Sequence, residues 1–184
     1  MILVLTGPVR SGKTTFLRAL LPDLQALRVP IRGYVSPAVI TDGKTTGYDL
    51  FDIRSGRSIP FLRTAGEAGW EKVGPYRFLP GGLEAASSTI LSSRPGVLLI
   101  VDEVGPAELS GRGVWPALLK ALARPSLNFL LVVRKALLDD LRRQLGNRRV
   151  DVFDFAGKDV SSALLKKLSK SRPVTTARKA RPKV

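Results

Sequence analysis

Gly7 to Thr15 reads Gly-Pro-Val-Arg-Ser-Gly-Lys-Thr-Thr and fits G-x-x-x-x-G-K-[ST] at Gly7, Gly12, Lys13 and Thr14. The pattern works only with a strand before it and a helix after it, so it constrains the whole front of the chain. Both are in place. Ile2-Leu3-Val4-Leu5 is a short apolar, β-branched run, and Phe16, Leu17, Leu20 and Leu21 follow at helical spacing. The glycines let the backbone curl so that successive N–H groups form a concave anion nest. The helix that starts there turns its positive dipole end on the same point. Lys13 adds a point charge for the β and γ phosphates of a nucleotide, and the Thr14 hydroxyl is placed to ligate Mg²⁺. Gly7, Pro8, Val9, Arg10, Ser11, Gly12, Lys13, Thr14 and Thr15 are therefore candidate nucleotide contacts, Arg10 by position alone.

The second decisive stretch is Val97-Leu98-Leu99-Ile100-Val101-Asp102-Glu103. An unbroken apolar run that ends abruptly in two acids describes a buried parallel strand with its carboxyl end at the surface. Ligands of open α/β sheets gather at that edge. Asp102 stands where the second motif of phosphate-loop enzymes holds Mg²⁺, and Glu103 can reach the water that attacks a γ-phosphate. The chain has 184 residues with no histidine and no cysteine. Imidazole bases, thiol nucleophiles, disulfides and thiolate zinc sites are thereby excluded, which leaves Glu103 as the best-placed base.

Between these motifs the texture changes. Helix is expected from about Gly12 to Leu27, kinked or broken at Pro22. Ile31–Ser36, Thr46–Ile53 and Ser58–Leu62 read as strands, with Thr41-Asp42-Gly43-Lys44 carrying the Asp-Gly pair of a tight hairpin. Strands so closely spaced must pair antiparallel, giving an inserted β-meander. Ala65–Gly74 reads as a loop and Tyr76–Phe78 as a brief strand, followed by a helix over Gly82–Ser92. Beyond Glu103, Gly105–Leu109 reads as a turn and Trp115–Ala123 as a helix. Asn128–Val133 is a third buried strand, ending at Arg134. A helix over Lys135–Leu145, a strand over Val150–Phe155 and a helix over Val160–Leu168 complete the pattern. Arg134 then ends the strand flanking the Asp102 strand, where it can sense a γ-phosphate. Lys158, after the last strand, is a candidate to stack on a base.

Hydrophobic residues make up 44% of the chain, enough for one sizeable core, and no apolar run approaches a membrane span. The first apolar run has no basic segment before it and is too short for a signal peptide, so a cytoplasmic protein with no membrane partner is expected. The expected organisation is one domain over 1–168 and a basic, disordered tail over 169–184. The net charge is +15, and Lys166, Lys167, Lys170, Arg172, Arg178, Lys179, Arg181 and Lys183 crowd the last nineteen residues without an acid among them. Such a tail is either a solvated extension or a weak nucleic-acid arm.

Together these landmarks resemble the small nucleoside-triphosphatases known from thermophiles and, as a cancer-related homologue, from animals. The likeness spans Ile2 to about Leu168. It rests on Gly7–Thr15, on Arg32-Gly33-Tyr34 with Gly47-Tyr48-Asp49, on Val73-Gly74-Pro75-Tyr76, and above all on Asp102-Glu103-Val104-Gly105-Pro106-Ala107-Glu108-Leu109. The resemblance implies a P-loop α/β fold, a mostly parallel sheet flanked by helices. It also implies slow, Mg²⁺-dependent hydrolysis of ATP, GTP and other triphosphates with loose base preference. It carries Lys13, Thr14, Asp102 and Glu103 over as functional residues. Two features depart from the family's pattern: Ala107 stands where a methionine is common, and the tail is unusually basic.

Two other readings remain open at the level of sequence. A P-loop kinase uses the same cradle but delivers the γ-phosphoryl to a small acceptor, in a pocket that Ala65–Gly74 and the meander would shape. A nucleotide-gated RNA- or partner-binding protein would use the tail as its working end.

Overall fold

The computed structural model describes residues 1–170. One sheet organises them. Its parallel half runs β10 (Val150–Asp154), β1 (Ile2–Gly7), β9 (Asn128–Arg134), β8 (Leu98–Val104) and β2 (Ile31–Val35). Helices α1 (Lys13–Ala26) and α6 (Val160–Lys170) cover one face through Leu17, Leu20, Leu24, Leu164 and Leu168. Helices α2 (Pro80–Leu91), α4 (Trp115–Leu122) and α5 (Leu138–Leu145) cover the other through Ala86, Ile90, Leu118, Leu141 and Leu145. With both faces covered, every residue of β1 is buried. The period of two still sorts them, Ile2 and Val4 into one core and Leu3 and Leu5 into the other. Each such leucine contributes on the order of 2 kcal/mol by leaving water.

Beyond β2 the sheet turns antiparallel through β4 (Lys44–Asp52), β5 (Ser58–Arg63), β7 (Tyr76–Phe78) and β6 (Lys72–Val73). This is the inserted meander. A strand unmarked in the sequence, β3 (Ala38–Thr41), pairs with β4 across the Asp42-Gly43 turn, where both residues take positive φ as the tight hairpin requires. The short β6 lies inside the segment expected to be a loop. Asp49 pairs with Arg63 at 2.5 Å, and Asp52 accepts the Ser55 N–H at 2.7 Å, so both acids fasten the meander.

Three expectations are corrected. Pro22 does not break α1, which runs through it as one helix; Leu17, Leu20 and Leu24 keep both halves on the core, and this burial outweighs one missing backbone hydrogen bond. Gly105–Leu109 is not a simple turn but contains a helical turn, α3 (Pro106–Leu109), whose start the Glu108 carboxylate closes by accepting the Gly105 N–H at 2.9 Å. The last helix continues to Lys170, two residues past its expected end at Leu168. The rest of the expected tail, 171–184, lies outside the described residues. No described helix is long and apolar enough to cross a membrane.

The order of strands places the chemistry. β9 inserts between β1 and β8, with Gly7 in register with Arg134 and Val133 with Val104. The glycine loop, Arg134 and the Asp102-Glu103 pair therefore emerge along one edge, the carboxyl ends of three parallel strands.

Candidate active site

The loop after β1 turns at Arg10, with φ 58°, and at Gly12, with φ 91°, before α1 begins at Lys13. Gly12 holds a conformation that side chains other than glycine rarely adopt. A side chain at Gly7 would bring its Cβ within 2.9 Å of Phe155 Cβ, so the absence of one lets the loop close against the end of β10. Pro8, Val9, Arg10, Gly12 and Thr15 are exposed, whereas Ser11 is half-buried. Ser11 Oγ lies out of reach of water and has no hydrogen-bond partner among the described residues. A buried hydroxyl without a partner suits a loop whose remaining contacts come from a polar ligand.

Lys13 is 6% exposed, and its ammonium donates to the carbonyls of Gly7 at 3.2 Å and Pro8 at 2.6 Å. Burial lowers its pKa, while the carboxylates of Glu103 and Asp102 act in the opposite sense. The lysine thus sits inside the loop within the field of the strand-end acids.

Thr14 joins the two motifs. Its hydroxyl donates to Asp102 Oδ2 at 2.8 Å, across 88 residues of sequence. Asp102 is 1% exposed, and burial pushes its pKa up to about 6 even though the Ser36 N–H and the Thr14 hydroxyl favour its charged form. The Ser36 N–H reaches Oδ2 at 3.1 Å and the Ser36 hydroxyl donates to the Asp102 carbonyl, so the end of β2 clamps this residue on two sides. Thr14 and Asp102 supply a hydroxyl and a carboxylate, both hard oxygen donors. No group of three or more His, Cys, Asp or Glu gathers elsewhere among the described residues as a self-sufficient metal cage. This donor set fits Mg²⁺, which takes one or two protein oxygens and completes its shell with water and phosphate.

Glu103 points at Arg134. The guanidinium Nε donates to Oε1 at 2.6 Å, and the side chains are 27% and 37% exposed. Arg134, expected as a sensor of the γ-phosphate, is thus anchored on the acid expected to handle the water. Beside them opens a cavity of about 190 Å³. Thr14, Asp102, Glu103 and Arg134 form its polar end; residues of the meander form most of the remaining wall, with Ser36 and with Gly105, Pro106 and Glu108 around α3.

Lys158 is exposed in the turn after β10, on the far side of the loop from Asp102 and Glu103. The structure does not bring it into this cluster. Its neighbour Phe155 packs edge-on against Phe16, with ring centroids 5.5 Å apart.

Three residues here escaped the sequence reading. In the sequence Ser36 is only a strand end, and Tyr48 and Tyr76 only parts of motifs, yet the two tyrosine rings meet at 5.3 Å over the cavity. A serine closing the strand that pairs with β8 was the available signal for the first. No local signal marks the second pair.

A family model described as NTPase matches residues 2–165. The chain belongs to the NTPase family. Among its relatives, the nucleoside-triphosphatase THEP1 of Archaeoglobus fulgidus is 32% identical over 161 residues, which cover 86% of this chain and 93% of the relative. The solution structure of a human cancer-related nucleoside triphosphatase superposes with a TM-score of 0.71 at 25% identity, over 93% of this chain and 98% of that one. The crystal structure of THEP1 from the hyperthermophile Aquifex aeolicus gives a TM-score of 0.62 at 18% identity, over 91% and 96%, and speaks to the fold alone. This family member has the P-loop fold expected from its sequence, with the meander inserted in it.

Proposed function

We propose that the protein hydrolyses nucleoside triphosphates, ATP and GTP among them, to diphosphate and phosphate with Mg²⁺ as cofactor. The observation that carries this reading is the Thr14–Asp102 hydrogen bond of 2.8 Å, which unites a phosphate-binding loop with the acid at the end of β8. Family membership supports it, since relatives are named nucleoside-triphosphatases.

In this reading the Gly7–Thr15 loop binds the triphosphate, and Lys13 moves its ammonium from the Gly7 and Pro8 carbonyls to the β and γ phosphates. Thr14 and Asp102 would hold Mg²⁺, which when bound neutralises charge on the phosphate oxygens. Glu103 orients a water against the γ-phosphorus and accepts its proton. Arg134 fixes Glu103 through Nε, while its other guanidinium nitrogens donate to nothing among the described residues. Those nitrogens remain for negative charge on the transferring group, the main demand of phosphoryl transfer.

The test is a phosphate-release assay over ATP, GTP, CTP and UTP, with Mg²⁺ and with a chelator. Release in Mg²⁺ that stops with the chelator is expected. Absence of release from every triphosphate refutes the proposal.

A further inference from the structure

Hydrolysis requires room for one water, about 30 Å³ of liquid volume. The cavity beside Glu103 measures about 190 Å³. An enclosed apolar space of about 150 Å³ accepts benzene, so this one has the size of a single-ring molecule. Its walls suit such a guest. Tyr48 and Tyr76 form an edge-to-face pair, and Phe61 and Phe78, themselves 5.3 Å apart, continue the aromatic surface inward. Surfaces of this kind favour a ring over ordered water.

The position of the cavity matters as much as its size. Of the Gly7–Thr15 loop only Thr14 lines it, and Phe155, which packs behind the loop, does not. A nucleotide seated in the loop therefore meets the cavity at its terminal phosphate rather than filling it with its base. At that end stand Asp102 and Glu103, with the Glu108 carboxylate farther along the wall. Three acids against one guanidinium, that of Arg134 and already paired with Glu103, disfavour an anionic guest. A neutral hydroxyl is compatible with them, and it can surrender a proton to Glu103, whose single hydrogen-bond donor among the described residues is Arg134.

We infer that this cavity is a second substrate site, which binds a neutral, single-ring hydroxyl compound and presents it as a phosphoryl acceptor in place of water. The acceptor oxygen forms a bond to the γ-phosphorus. The bond from that phosphorus to the β–γ bridging oxygen breaks, and its electron pair leaves with the nucleoside diphosphate. The acceptor's hydroxyl proton passes to Glu103. The products are a phosphomonoester and the diphosphate. This step rests on the triphosphate reading above; binding of the ring does not.

The test uses the full chain. Proton NMR follows the ring resonances of Tyr48 and Tyr76 as phenol, benzyl alcohol and cyclohexanol are added without nucleotide. Phosphorus NMR then follows ATP and Mg²⁺ with the same compounds. Saturable ring shifts are expected, together with a phosphomonoester signal that grows with ADP at the expense of inorganic phosphate. Val73→Phe, which narrows the cavity from β6, should reduce both at least tenfold. Absence of ring shifts in the wild type overturns the site. Inorganic phosphate as the sole product at saturating compound, or equal ester yield from Val73→Phe, overturns the transfer. Should neither ester nor phosphate form, the triphosphate reading fails and takes the transfer with it, while the ring shifts still decide whether the cavity binds a ring.

Discussion

Gly33 offers the sharpest structural test, because two independent constraints meet there. It lies in β2 directly opposite Ile100 of β8, with φ +110°. A Cβ added at this position would stand 1.9 Å from the Ile100 carbonyl oxygen and 2.7 Å from both the Ile100 carbonyl carbon and its amide nitrogen. All three are backbone atoms of a central strand, so no side chain can swing away. Relief requires β2 to retreat from β8 by roughly 1 Å, against close-packed surroundings. For Gly33→Ala the left-handed conformation costs about 1–2 kcal/mol, and the forced separation adds about 1–3 kcal/mol, the usual range for overpacking. The sum, about 2–5 kcal/mol, is a large part of a domain's typical stability of about 5–15 kcal/mol. Urea melts followed by circular dichroism should show this loss, with a fall in Tm on the order of 10 °C. Gly43→Ala is the control: Gly43 also has positive φ, at +72°, but nothing lies within 4 Å of its Cβ position, so only about 1 kcal/mol should be lost. Equal midpoints for the two variants would refute the close approach of β2 to β8. That approach is what carries Ser36 to Asp102.

Other outcomes follow from the same geometry. Lys13→Ala should fold normally yet lose at least about 100-fold in single-turnover rate, because Arg10, the loop's other cation, is exposed while Lys13 is buried within the loop; stopped-flow phosphate release reads this. Arg134→Gln should lower turnover by about 10–100-fold with nucleotide affinity little changed, since it frees Glu103 from its 2.6 Å anchor. Glu108 has its pKa raised by burial, partly offset by the backbone N–H groups it accepts, those of Gly105 and Val114 among them. The native state therefore holds that proton to higher pH than the unfolded chain, and the stability linked to it falls as pH rises above the ordinary value of 4.5. Urea midpoints measured between pH 4 and pH 7 should accordingly shift in favour of Glu108→Gln as the pH rises.

The parts legible in the sequence are those encoded locally. The glycine loop shows itself by spacing. The Asp102-Glu103 pair shows itself because an apolar run stops at two acids, as a strand buried on both faces must when it reaches the surface. The neighbourhood of Arg134 was legible because Asn128–Val133 has the same texture, which called for a place beside β8. Pro22 does not end α1 because its local penalty is real but small beside the burial of Leu17, Leu20 and Leu24. β3 hid because its residues are largely exposed, with little hydrophobic alternation to mark them. The Tyr48–Tyr76 contact and the Ser36 clamp are pairings across long loops, which no window of sequence contains. In the sequence Glu108 is only part of a motif; its work, accepting N–H groups around α3, appears once the helical turn is folded.

The central claim is that Glu103 activates the attacking group at a site assembled by Thr14 and Asp102. Glu103→Gln tests it most directly, because the substitution keeps the shape and can keep an oxygen for Arg134 while removing the base. Nucleotide affinity and single-turnover phosphate release should be measured on the same preparation. The account predicts affinity within about threefold of wild type and release slowed by at least about 100-fold. Release at the wild-type rate with affinity intact would contradict it.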